Sequence, residues 1–323
     1  MKTYSIIIPH KNDIKGLKRL LKSIYEQDNS FEFYNFIKNL SVFVVDDYSD
    51  TKSIDAIKEL NKRYAFTFFQ NNRNRSAGAC RNIGLSNIKS DYVLFSDSDD
   101  FFVKDYYKFL LKYDNYDYDL LLFSPISVLD DDLNKSSDRH LFYTKMIDDY
   151  LNGKVDETKL RYMWLGPWSK RYKVKYLKEN NITFDETIAS NDVMFSVQAG
   201  YRAKNISATH DVFYCLTRRY GSLIYTYSLE VLKARVSVGI RYKNYCDSIG
   251  FYNYKDHCIN HLMRGIILGF KPFMKLLYFA KRKGVFKDKK YVLKFIFKAI
   301  AGNIVVFFIN NTRNLLKIEK TNK

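Results

Sequence analysis

The feature that most constrains this chain is an alternation along its first 125 residues. Short apolar, β-rich runs at 4–8, 42–45, 65–69, 92–95 and 120–123 are separated by the segments LKRLLKSIYEQ, SIDAIKELNKRY, SAGACRNIGLSNI and KDYYKFLLKY. In those segments apolar residues recur at i, i+3 and i+4, the period of a half-buried helix. Strand and helix in strict turn predict an α/β fold with a mostly parallel, doubly wound sheet. In such a sheet ligands bind at the carboxyl ends of the strands, where the strand order reverses. Function is therefore to be sought in the residues just past each apolar run.

Two of those runs end in acids. VFVVDD gives Asp46 and Asp47, YVLFSDSDD gives Asp97, Asp99 and Asp100, and the first run ends in PHKN. Asp97 and Asp99, two apart in a turn after a buried strand, can turn both carboxylates toward one hard cation such as Mg2+ or Mn2+. The alternative is a turn that caps a helix starting near Lys104. Ser76 is the expected N-cap of the third helix, and residues 124–139, rich in turn formers and without a period, read as a mobile loop. Residues 161–217 read as an extension of the same sheet, and the patterns beyond Ser228 are helical. No internal repeat is present.

Composition narrows the class. The four cysteines are far apart with no CxxC pair, which argues against zinc and disulfides and fits a reducing cytoplasm. The first apolar run is too short for a signal-peptide core. The formal charge is +18, and residues 258–323 carry 15 Lys and Arg against 2 acids, or +13. Either nucleic acid or anionic lipid attracts such a tail. Blocks such as GIILGF, KLLYFA and AGNIVVFFI favour a membrane interface over a phosphate-tracking surface, which is polar or carries isolated stacking aromatics. The longest uncharged apolar stretch, 299–309, is far short of the roughly 20 residues a spanning helix needs, so an interfacial helix is expected.

Taken together, SIIIPHKN, FVVDDYSDTKS, NNRNRSAGACRNIGL and DYVLFSDSDDF resemble, in order and spacing, the nucleotide-binding half of family 2 glycosyltransferases of the GT-A fold. The stretch from GPWSK to NDVMFS resembles the acceptor side of bacterial capsule and O-antigen members, and DVFYCLTRRYGSL their following strand and arginine loop. The resemblance covers roughly residues 4–223. It implies that Pro9, Lys11 and Asp47 surround the base and ribose, that Arg75 and Arg81 border the nucleotide, and that Asp97 approaches the ribose. It further implies that Asp99 ligates Mn2+ or Mg2+ between the phosphates and that Asp192 is the general base. On position alone Asp192 is equally an acid at a helix N-terminus.

Four further residues carry two readings each. Trp168 is either the apolar floor for a sugar ring or core. Lys170, Arg218 and Arg219 either neutralise the leaving diphosphate or are solvated cations. His140 and His210 have no ligand-spaced partner. The chain departs from the family pattern at His10 and Lys11, where an aromatic or small polar residue is usual, and at Asn191, which replaces the first acid of a Glu-Asp pair.

The expectation is thus a metal-dependent inverting glycosyltransferase. Its GT-A catalytic domain spans 1–227, with a nucleotide-sugar half at 1–125 and an acceptor half at 140–227, and a basic helical membrane-associating extension follows at 228–323. The donor would be a UDP-sugar and the acceptor a glycan or polyprenyl-linked hydroxyl, in cell-surface polysaccharide synthesis on the inner face of the membrane. A sugar-phosphate nucleotidyltransferase would need a glycine-rich loop where PHKNDIKG offers only Gly16. A nucleic-acid-binding protein would need a recognisable binding module.

Overall fold

The computed structural model describes residues 1–71, 76–219, 228–252, 257–287, 292–293 and 296–297. Arg75 and the apolar segment 299–309 therefore lie outside the described residues. The chain divides into two compact units, Met1–Thr226 with Tyr245–Lys255, and Tyr227–Asn244 with Asp256–Lys323.

The first unit opens with β1 (Tyr4–His10), α1 (Ile14–Tyr25), α2 (Phe31–Lys38), β2 (Leu40–Asp46), α3 (Thr51–Arg63), β3 (Thr67–Gln70), α4 (Ala77–Asn87) and β4 (Tyr92–Phe95). There follow β5 (Phe101–Phe102), α5 (Tyr106–Leu111), β6 (Leu120–Phe123), β7 (Ile126–Leu129), α6 (Leu141–Leu151) and α7 (Thr158–Met163). Next come β8 (Lys170–Lys173), α8 (Val174–Glu179), α9 (Val193–Arg202), β9 (Ile206–Thr209) and β10 (Tyr214–Arg218). Helix starts follow capping chemistry: Asp13, Ser30, Asp50 and Ser76 each accept a hydrogen bond from a backbone N–H of the first turn. On α1 the apolar face Leu17, Leu20, Leu21 and Ile24 is fully buried in the core of the unit.

Among the described residues the main sheet has the order β3-β2-β1-β4-β8-β6-β9, and a smaller one the order β5-β10-β7. Strands β3, β2, β1 and β4 run parallel, with Tyr4 opposite both Leu40 and Tyr92. The order reverses at β1, so the tips of β1, β2 and β4 form the crevice where ligands bind. Pro9 sits on a central strand without disrupting a ladder. Pro9 stays opposite Val45 of β2, but the Tyr4 N–H points to the β2 side, so by alternation the nitrogen of Pro9 faces β4, whose pairing with β1 has already ended at Ile7 opposite Phe95.

Three expectations are corrected. Residues 126–129 are not a mobile loop but β7, which pairs in parallel with β10. The acceptor-side stretch does extend the main sheet through β8 and β9, but β8 enters antiparallel between β4 and β6, and β10 belongs to the second sheet. Helix α2 lies where no helical pattern was expected.

Helix α10 (Leu229–Ser248) begins in the second unit and ends in the first. The second unit continues with α11 (His257–Arg264), a 3-10 turn at Gly265–Leu268 and α12 (Phe270–Arg282). Its core joins Leu232, Val236, Cys258, Ile259, Leu262, Leu276 and Ala280. All four cysteines are free and buried. Among the described residues no helix is long and apolar enough to cross a membrane.

Candidate active site

The tips of β1 and β2 are locked together by a histidine. The backbone N–H of Asp13 donates to His10 Nε2 at 3.1 Å, which leaves the ring proton on Nδ1, 2.9 Å from Asp46 Oδ1. His10 and Asp46 are both buried, so His10 is scaffold and not a stacking platform. Burial works against ionising Asp46, yet the bonds from His10 and Ser49 hold its carboxyl below the usual range. Asp47 follows, buried, accepting from Asn71 Nδ2 at 3.1 Å, with Lys11 Nζ 3.8 Å away and nearly half exposed. Lys11 and Asp47 are thus brought together at the tips of β1 and β2, with Pro9 one pair back on β1 opposite Val45.

At the tip of β4, carboxylate oxygens of Asp97, Asp99 and Asp100 all lie within 4.8 Å of one another. Their surroundings differ. Asp100 is fully buried and accepts from Thr217 N–H at 2.7 Å and Tyr214 hydroxyl at 2.9 Å, tying the turn to β10. Burial raises its pKa well above the usual range, Arg139 opposing. Asp97 accepts from Arg81 Nη2 at 2.5 Å. Asp99 is pushed up to about 6, by burial first and then by the charge of Asp97, with Arg139 opposing. Among the described residues no side chain donates a hydrogen bond to its carboxylate.

Arg81 connects this cluster to the loop before α9. Its Nη1 donates to Asn191 Oδ1 at 2.9 Å, beside Asp192. The approach is close because Gly78 lacks a side chain: a Cβ there would lie 2.0 Å from the Asp185 carbonyl and 2.9 Å from Asn191 Cβ. Asp192 begins α9, but its side chain makes no capping bond. Its pKa is raised by burial and by Asp97, with Arg81 and Lys170 opposing.

The remaining candidates are placed as follows. Trp168 is buried, edge-on to Tyr143 at 4.7 Å and tilted against Trp164 at 6.0 Å. Lys170, on the central strand β8, is 1% exposed and donates to the Trp164 carbonyl at 2.8 Å. Burial holds its pKa well below the lysine range, so the solvated-cation reading fails for it. Arg219 reaches Asp13 at 3.1 Å and stays half exposed, whereas Arg218 is turned to Asp138. Arg139, which no sequence signal marked, donates to the Thr217 carbonyl at 2.6 Å and stands 3.6 Å from Asp100.

Residues 5–181 match glycosyl transferase family 2, and the chain belongs to that family. A poly(ribitol-phosphate) β-glucosyltransferase of Bacillus spizizenii is 30% identical over 222 residues, 67% of this chain and 32% of that protein. The Staphylococcus aureus poly(ribitol-phosphate) β-N-acetylglucosaminyltransferase TarS is 29% identical over 225 residues, 68% of this chain and 36% of that protein. The chain spans about a third of the length of these curated relatives. The structure of S. aureus TarS 1–349 in complex with UDP-GlcNAc superposes with a TM-score of 0.56 at 23% identity, covering 81% of this chain and 72% of that one. The mannosyltransferase PcManGT of Pyrobaculum calidifontis, in complex with GDP-Man and Mn2+, gives 0.54 at 15% identity, covering 92% and 84%. At these identities the likeness speaks for the fold, which is the GT-A α/β fold.

Proposed function

We propose that the chain transfers a sugar, with inversion, from a nucleotide diphosphate donor to an acceptor hydroxyl in cell-surface polymer synthesis. The observation that carries this reading is the Arg81 bridge, which holds the donor-side acid Asp97 and the loop of Asp192 on one guanidinium. A uridine diphosphate sugar is the donor we favour, in keeping with the UDP-GlcNAc bound by TarS. Pro9, Lys11 and Asp47 would line the base and ribose, and Arg75 would border the nucleotide.

The residues at the β4 tip fit a divalent cation. Asp97 and Asp99 offer hard oxygen donors within 4.8 Å, and Asp99 is a carboxyl pushed up to about 6 in want of positive charge. Mn2+ or Mg2+ bound there would offset the charge that grows on the diphosphate as the glycosidic bond breaks. Arg219, half exposed beside Asp13, would meet the same charge. Asp192 would take the proton of the attacking hydroxyl, and its raised pKa makes it a better base near neutral pH than an ordinary aspartate.

The acceptor would be a glycan or a polyprenyl-linked sugar, and the protein would work on the cytoplasmic face of an anionic membrane. The basic second unit supports that placement. A screen of nucleotide sugars for hydrolysis with Mn2+ or Mg2+, followed by determination of the anomeric configuration of the product, tests the reading. Absence of turnover with every donor, or a retained configuration, would refute it.

A further inference from the structure

The second unit carries a surface that its own packing does not explain. On α12, Leu276 and Ala280 are fully buried in the unit's core. Phe270, Met274 and Tyr278, spaced by four and hence on one stripe, are 78%, 46% and 64% exposed. Ile266 and Ile267, in the turn just before, are 43% and 71% exposed as well. The stripe lies about 140° around the helix from the buried pair, too far for one apolar partner to cover both. A helix apolar on two faces calls for a second apolar surface, and a contiguous exposed patch of this kind marks an interaction site.

Charge identifies that second surface. From His257 to Lys287 the sequence has 7 Lys and Arg and no Asp or Glu. Lys271, Lys275 and Arg282 follow the stripe along one edge and Lys281 falls within it, all on the side away from the core. Nucleic acid would satisfy the cations but has no use for Ile266, Ile267 and Met274. An anionic bilayer satisfies both, with phosphates for the lysines and the acyl boundary for the apolar groups.

We propose that α12 and its preceding turn are the membrane-docking face of this protein, with Ile267, Phe270, Met274 and Tyr278 entering the headgroup boundary. This rests on the membrane-surface reading above and locates the contact in a helix whose other face is anchored in the core of its unit.

Sedimentation of the full chain with vesicles tests it. Binding to phosphatidylcholine mixed with phosphatidylglycerol, weakening with salt and absent on pure phosphatidylcholine, is expected. Phe270→Asp combined with Tyr278→Asp should weaken it at least tenfold, and Lys271→Gln with Lys275→Gln roughly fivefold per lysine. Donor hydrolysis in solution should stay at the parent level in both variants, which shows that the fold is intact. If Val306→Asp with Phe307→Asp abolishes binding while the α12 variants bind normally, the membrane reading survives and this proposal falls. If the full chain ignores anionic vesicles, both fall. If the α12 variants change only self-association or duplex binding, the stripe serves another partner and the proposal is overturned.

Discussion

Arg81→Met removes the guanidinium that joins the two halves of the site while keeping the apolar stem. Asp97 and Asn191 then lose their shared donor. Breaking a wholly buried ion pair costs about 3–5 kcal/mol, but the Asp97 side chain is 27% exposed and can take water in exchange. About 2 kcal/mol is the figure that suits this partial burial. A domain of this size shifts by roughly 2–4 °C per kcal/mol, so the melting temperature should fall by about 4–8 °C. A second effect separates a catalytic link from a merely structural one. Asp192 keeps the burial and the Asp97 charge that raise its pKa and loses the Arg81 charge that lowers it. Its pKa therefore rises further. Since the base proposed above works only when ionised, the acid limb of kcat should move to higher pH, read from turnover across a pH series. Arg81→Lys restores a charge but cannot fork to both partners, so it should return the limb more fully than the melting temperature. An unmoved limb in Arg81→Met, or an unchanged melting temperature, would refute the reasoning.

Asp192→Asn should lower turnover by roughly a hundred to ten thousand fold while donor affinity, measured by calorimetry, is retained; loss of affinity with turnover intact would move the residue to the nucleotide site. Asp99→Asn should remove the response of activity to added Mn2+ or Mg2+ without lowering the melting temperature, and full parent activity in chelator would contradict the metal assignment. Gly78→Ala must push the Asp185 carbonyl away from its 2.0 Å clash, so both melting temperature and turnover should drop, turnover by tenfold or more. A variant that behaves like the parent would show that the loop of Asp192 tolerates displacement.

The period of the apolar residues located the strands and most helices of the first 125 residues because each buries one face locally. Ser76 capped α4 as its side chain suggests, and the acids fell at strand tips as the alternation requires. What escaped had no local signature. In α2, FEFYNFIK, apolar residues point both ways: Phe33 and Phe36 are buried while Phe31 and Tyr34 are exposed, so no period emerges. Strand β7 exists because β10, far along the chain, pairs with it, and such a pairing is invisible in four residues. Arg139 sits in a polar stretch indistinguishable from a solvated loop until β7 and β10 carry it to the acids. The sequence leaves Lys170 open between a solvated cation and one facing the diphosphate, because its burial comes from β8 pairing with strands distant in the chain.

The departure at Asn191 follows from the charge pattern of the site. Three carboxyls share the β4 tip and a fourth, Asp192, stands near enough to feel both Asp97 and Arg81. The fold gives them different hydrogen-bond partners: Thr217 and Tyr214 for Asp100 and the guanidinium of Arg81 for Asp97, while among the described residues no side chain donates to the carboxylate of Asp99 and the charge of Arg139 acts on both Asp99 and Asp100. A second acid at residue 191 would compete with Asp97 for Arg81 and add repulsion where burial already disfavours charge. The asparagine oxygen accepts the same hydrogen bond without that repulsion. In the proposed mechanism the proton of the acceptor hydroxyl goes to Asp192, whose pKa burial raises against the opposing charge of Arg81.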